Sequence, residues 1–176
     1  MAAALSVPAA PRRIGVISDT HDLLRPEAVH ALAGSDLLLH AGDICGPDVL
    51  EALREIAPVV AVRGNNDHGR WAQALPETAT VTLGGISVLI VHDLATLSSA
   101  ALAGAGLVIS GHSHQPRKVE QDGVCFFNPG SAGPRRFRLP ISLGRIDVTG
   151  GGLRASLVDL EHDASRSIIR IASTAG

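Results

Sequence analysis

The chain has 176 residues, 45% hydrophobic and 18% charged, which suits one folded domain and excludes an intrinsically disordered segment. A net charge of −2 argues against a large basic nucleic-acid footprint, and three Phe, one Trp and no Tyr leave little for a base-stacking platform. Two cysteines, Cys45 and Cys125, do not make a disulfide framework, and no apolar run reaches the roughly 18 residues of a membrane span, so a reduced, cytoplasmic protein is expected.

Residues 1–11 are apolar and Ala-rich, and Arg12 and Arg13 follow rather than precede them. That is the reverse of a signal peptide's polarity, and the stretch reads as a flexible extension ahead of a single domain over 12–176. Ile14 to Ser18 is a short apolar run expected as a buried strand. Pro26 opens a helix through Leu32, with Gly34 as its stop. Leu37 to Leu39 is a second strand. Pro47 opens a second helix, with Val49, Leu50, Leu53 and Ile56 at helical spacing and Pro58 closing it. Val59 to Val62 is a third strand, and this β-α-β-α-β order predicts parallel strands with crossover helices. Thr78 to Leu83 and Ile86 to Val91 flank Gly84-Gly85 as a hairpin. A short helix over Leu97 to Leu102 and a strand over Leu107 to Ser110 follow. Two more hairpins pair Arg117 to Gln121 with Val124 to Phe127 and Ile141 to Val148 with Leu153 to Leu160. The sum is an α/β fold of two stacked sheets covered by helices.

Five segments carry metal-binding side chains, each just past an apolar run: Asp19 and His21, Asp43, Asn65, His92, and His112 with His114. In open α/β sheets ligands gather beyond the carboxyl ends of strands, so these segments make one candidate site. Each has an ordinary structural explanation in isolation. Asp19 is also a turn or cap residue, Gly42-Asp43 an ordinary turn, Asn65-Asn66 a turn pair, and His92 a structural histidine. Carboxylate, imidazole and amide donors without thiolate are compatible with Mn²⁺, Fe or Zn²⁺.

The runs Ser18-Asp19-Thr20-His21, His40-Ala41-Gly42-Asp43-Ile44, Val62-Arg63-Gly64-Asn65, Gly111-His112-Ser113-His114 and Asn128-Pro129-Gly130-Ser131 occur in this order. The series resembles the calcineurin-like metallophosphoesterase superfamily, in particular its short bacterial and archaeal single-domain phosphodiesterase branch. The resemblance covers Ile14 to Asp147. It implies a four-layer α/β/β/α sandwich with two divalent metal ions at the strand ends, Mn²⁺ first, with Fe, Zn²⁺ or Ni²⁺ as alternatives. It implies Asp19, His21, Asp43 and His114 around one ion and Asp43, Asn65, His92 and His112 around the other, with Asp43 bridging. The implied activity is hydrolysis of a small phosphate diester by a hydroxide shared between the metals, with Asp43, Asn65 and His92 in the catalytic centre.

The chain departs from the family at two points. The usual Thr-His-Gly-His stretch is Val91-His92-Asp93-Leu94, which keeps the first histidine and puts Leu94 in place of the second. The position after the ligand Asn, often a histidine acting as general acid, is Asn66, which is a candidate substrate contact but a poor proton donor. His68 is the remaining candidate acid, against the alternative of a surface loop histidine. Arg135, with Arg136 and Arg138, is a candidate phosphate clamp, against a solvated turn or subunit contact. Cys45 reads as a small buried thiol. Two other functions stay open: a phosphomonoesterase of the same fold, and a non-catalytic scaffold of the retromer-subunit type. Self-association is also left open.

Overall fold

The structure is a computed structural model that describes residues 8–162. Most of the expected N-terminal extension, and residues 163–176 of the expected domain, lie outside the described residues. The first half is a β-α-β-α-β unit: β1 (Arg13–Ile17), α1 (Pro26–Leu32), β2 (Leu37–His40), α2 (Pro47–Arg54) and β3 (Val59–Ala61). Both helices start on proline, which has no N–H to leave unpaired in the first turn. Helix α2 buries Val49, Leu50 and Leu53 at helical spacing. A short α3 (Arg70–Gln73), which the apolar pattern did not announce, leads into β4 (Thr78–Leu83) and β5 (Ile86–Val91). The chain continues through β6 (Leu107–Ile109), β7 (Arg117–Gln121), β8 (Val124–Asn128), β9 (Ser142–Thr149) and β10 (Gly152–Asp159).

The strands form two mixed five-stranded sheets, ordered β10-β9-β1-β2-β3 and β4-β5-β6-β8-β7. In the first, β1, β2 and β3 are parallel, and the β9–β10 hairpin adds antiparallel to β1. In the second, β5, β6 and β8 are parallel, and β4 and β7 pair antiparallel at the edges. Strand alternation builds one core between the sheets and others on their outer faces. Ile14, Val16, Leu37 and Leu39 face Val88, Ile90, Ile109 and Phe127 between the sheets, whereas Ile17 and Leu38 turn outward beneath Leu32 and Leu53 of the helices.

The outer face of the second sheet departs from expectation. Leu97 to Leu102 is not a helix; a 3₁₀ turn at Leu94–Thr96 and further turns carry the chain across. The Ser98 hydroxyl accepts the Ala101 N–H, which offers the backbone a local alternative to a helix. Leu97 and Leu102 still pack on Leu89, Val91 and Val108, so burial is met without helical geometry. Among the described residues, no helix is long and apolar enough to cross a membrane.

Candidate metal centre

Each sheet contributes three parallel strands, and the loops after their carboxyl ends meet at one rim. β1 delivers Asp19 and His21, β2 Asp43, β3 Asn65, β5 His92, and β6 His112 and His114. Five of these residues have left-handed backbone: Asp19 (φ 53°), His21 (45°), Asp43 (54°), His112 (66°) and His114 (58°). This conformation turns the chain out of strand direction at once, so side chains from separate loops converge. The loops touch so closely that a Cβ at Gly42, also left-handed at φ 89°, would lie 2.7 Å from the His92 ring and 2.8 Å from the Gly64 nitrogen.

The donors fall into two groups. In the first, His21 Nε2 and His114 Nε2 face each other at 3.3 Å, and His114 Nε2 lies 3.3 Å from Asp19 Oδ1. Asp19 is held by one carboxylate oxygen: Ser18 Oγ donates to Oδ2 at 2.7 Å and the His112 N–H at 3.2 Å. Its other oxygen, Oδ1, is buried with no hydrogen-bond partner. In the second group, His92 Nε2 and His112 Nδ1 each lie 3.0 Å from the Asn65 amide oxygen. His92 Nδ1 is 2.7 Å from the Ala41 carbonyl, which can only accept, so the proton sits on Nδ1 and Nε2 is turned toward the site. Asp43 stands between the groups, with Oδ2 3.7 Å from His21 and Oδ1 3.4 Å from His92.

These residues fit a pair of divalent cations. Asp19 Oδ1 is buried with no hydrogen-bond partner beside two imidazole nitrogens that face each other, and a shared cation would satisfy all three. Asp19 groups with His21 and His114, and separately with Asp43 and His92, within reach of one ion each. Burial opposes ionisation of Asp43, but the backbone and side-chain hydrogen bonds from Asn66, with the His92 ring close by, outweigh it and hold the carboxyl below the usual carboxylate range. Burial also pulls His21 below the usual imidazole value, against the attraction of Asp43 and Asp19, which favours the neutral ligand form.

The candidate substrate and acid residues are placed differently. Asn66 holds Asp43: its backbone N–H donates to Oδ1 at 2.8 Å and its amide to Oδ2 at 2.7 Å. His68 is exposed and lines a cleft of about 540 Å³ beside Asn65, His92 and His112. Arg135 pairs with Glu161, while the neighbouring Arg136 reaches His21, with Nη2 3.4 Å from Nε2. Cys45 Sγ is 3.4 Å from His21 Nδ1, and burial, with Asp67 and Asp43 nearby, pushes its thiol up to about 11.

Several buttressing residues carry no signal in the sequence beyond their place in a motif. Asp67 is buried and accepts the N–H groups of Ile44, Cys45 and Gly64 at 2.7–2.8 Å, clamping the β2 and β3 loops together. His40, wholly buried and lowered to about 3 by desolvation, accepts the Gly42 N–H on Nδ1. Its Nε2–H therefore donates to Thr20 Oγ1, at 3.1 Å, bracing the β1 loop. Asn128 donates to the Gly111 carbonyl and Ser131 Oγ to the Asp19 carbonyl, so the Asn128-Pro129-Gly130-Ser131 run holds two ligand loops from below. Asp93 Oδ1 accepts the Ala95 N–H, while Oδ2 lies 3.9 Å from His112 Nε2, on the ring edge away from the site.

The profile of the calcineurin-like phosphoesterase superfamily domain matches residues 13–151. The chain belongs to this superfamily. A Methanothermobacter thermautotrophicus protein named "Probable metallophosphoesterase" is 36% identical over 168 residues, covering 88% of this chain and 96% of that one. A Methanocaldococcus jannaschii protein named as a phosphodiesterase is 29% identical over 138 residues, covering 67% and 82%. Among solved structures, the Escherichia coli phosphoesterase Yfce superposes with a TM-score of 0.70 at 25% identity, covering 92% of this chain and 99% of that one. Entamoeba histolytica Vps29 complexed with Zn²⁺ gives 0.72 at 25% identity, covering 90% and 98%. The superfamily implies divalent metal ions, and the converging Asp, His and Asn side chains are where this chain would hold them.

Proposed function

We propose that the protein is a two-metal phosphodiesterase with a preference for Mn²⁺. The observation that carries this reading is Asp43, one carboxylate with an oxygen toward each donor group and both oxygens fixed by Asn66. Asp19, His21 and His114 would hold one ion and Asn65, His92 and His112 the other. Bound there, the ions supply a nucleophile at neutral pH and neutralise charge on the phosphoryl oxygens. The chain's own residues fix the donor geometry. Asn66 orients Asp43, the Ala41 carbonyl sets the His92 tautomer, and Ser18 turns Asp19 so that one oxygen stays free. Arg136, beside His21, adds positive charge at the rim for an anionic substrate.

A diester suits this arrangement better than a monoester. Asn66 is committed to Asp43 and is no acid, and His68 is an exposed imidazole in the adjoining cleft outside the candidate ligand set. A site without a dedicated proton donor is least handicapped on esters whose leaving group needs no proton. The M. jannaschii phosphodiesterase relative supports the same choice.

The test is turnover of bis-p-nitrophenyl phosphate against p-nitrophenyl phosphate with Mn²⁺ supplied. The diester should be favoured, and Asp43→Ala should lose at least about 10³-fold in kcat/KM. Equal activity in wild type and variant would sink the mechanism, and preference for the monoester would make the protein a phosphomonoesterase. A scaffold reading draws on Asn66 at the acid position and on the likeness to Vps29. A purified protein with no bound metal and no Mn²⁺-dependent thermal shift would select it.

A further inference from the structure

Two clefts open on either side of the His112–Asp93 pair, and both residues line both clefts. The cleft of about 540 Å³ has a mixed wall that includes His68, Gln73, and Arg63 paired with Glu77 at 2.7 Å. The other, about 400 Å³, has a mainly apolar wall that includes Leu94, Val119 and Phe126, with Arg117, Gln121 and Asn128 also lining it. Leu94, 41% exposed, forms its lip at the position where the related pattern has a second histidine.

We propose that this second cleft is a subsite for an apolar ester group, so that the preferred substrates are phosphate diesters with one polar and one apolar arm. The inference extends the phosphodiesterase reading and rests on it. Phosphorus held at the open donor group, with His112 at the junction, has one cleft on each side, and a diester has one ester group for each. The groove's volume suits an aryl ring or a short alkyl chain. Covering Leu94, Val119 and Phe126 removes apolar surface from water, which a hydroxylated or charged arm cannot exploit.

Calorimetry with an alkylphosphonate series, methyl to hexyl, on the Mn²⁺-loaded protein tests this without turnover, because the P–C bond is not hydrolysed. Full burial of a methylene is worth about fourfold in affinity; in a groove open on one side, about twofold per carbon is expected. Leu94→Asp and Val119→Asp should each flatten the series, while Val29→Asp, an exposed position on α1, should leave its slope intact. A flat series in the wild type, or a slope that survives both variants, overturns the subsite. Turnover of bis-p-nitrophenyl phosphate is read in parallel. A flat series with turnover rejects the subsite alone, and a sloped series without turnover rejects the diesterase reading while the apolar groove stands.

Discussion

Asp19 and His114 lie beneath the rim, almost wholly buried, whereas on the other side of Asp43 the residues Asn65 and His112 stand at the surface, His112 with 48% of its side chain in solvent. The enclosed group has an unpartnered carboxylate oxygen beside two facing imidazoles, which a bound cation would compensate. In the open group only His112 Nδ1 can donate to the Asn65 amide oxygen, since the His92 proton sits on Nδ1, and the group borders both clefts. On the proposed two-metal reading, the enclosed group would be the one to retain an ion and the open group the one with room for water and substrate.

Asn66→Ala gives the largest effect after loss of Asp43 itself. Both oxygens of the shared carboxylate lose a donor or its alignment, so both groups should weaken, with activity down about 10- to 100-fold. Metal content by mass spectrometry decides it: if only one ion is lost, Asp43 is not a common ligand. Chelation should then separate the groups in time. Excess EDTA should remove two equivalents in two phases, the slower by about tenfold, and His112→Ala should abolish the fast phase while leaving the slow one. A single phase would erase the contrast.

The smallest effect is a pH dependence behind the enclosed group. His40 is held neutral by burial down to about pH 3, whereas in the unfolded chain it protonates near 6.5. The unfolded state therefore binds the extra proton. The stability His40 contributes is complete above about pH 6.5 and is lost as pH falls toward 3, with a slope of up to about 1.4 kcal/mol per pH unit. Urea unfolding of metal-free protein between pH 7 and 5, above the carboxylate titrations, should show this slope, and His40→Gln should flatten it.

The candidate donors were legible because the signal for each is local: an apolar run, its end, and a donor within a few residues. All seven predicted ligands, from Asp19 to His114, converge. The buttresses were not legible, because their partners come from other loops. Asp67 answers to N–H groups 22 and 23 residues away, and Ser131 to a carbonyl 112 residues away. Strands β4, β5 and β7 kept the bounds that their hairpin turns suggested. The Leu97 to Leu102 helix failed because two leucines on a sheet face need burial, which turns supply as well as a helix does. Arg135 and Arg136 show the limit most plainly: adjacent and chemically identical, one pairs with Glu161 and the other reaches the site.

The left-handed backbone at Asp19, His21, Asp43, His112 and His114 has a consequence for selection. Each such residue costs on the order of 1 kcal/mol that glycine would not. A library selected for thermal stability alone, in chelator, should therefore drift toward glycine, first at His112, whose half-exposed ring has little packing to lose. Selection with Mn²⁺ present should reverse the drift. The pair of selections would map the centre by enrichment, with no substrate in hand.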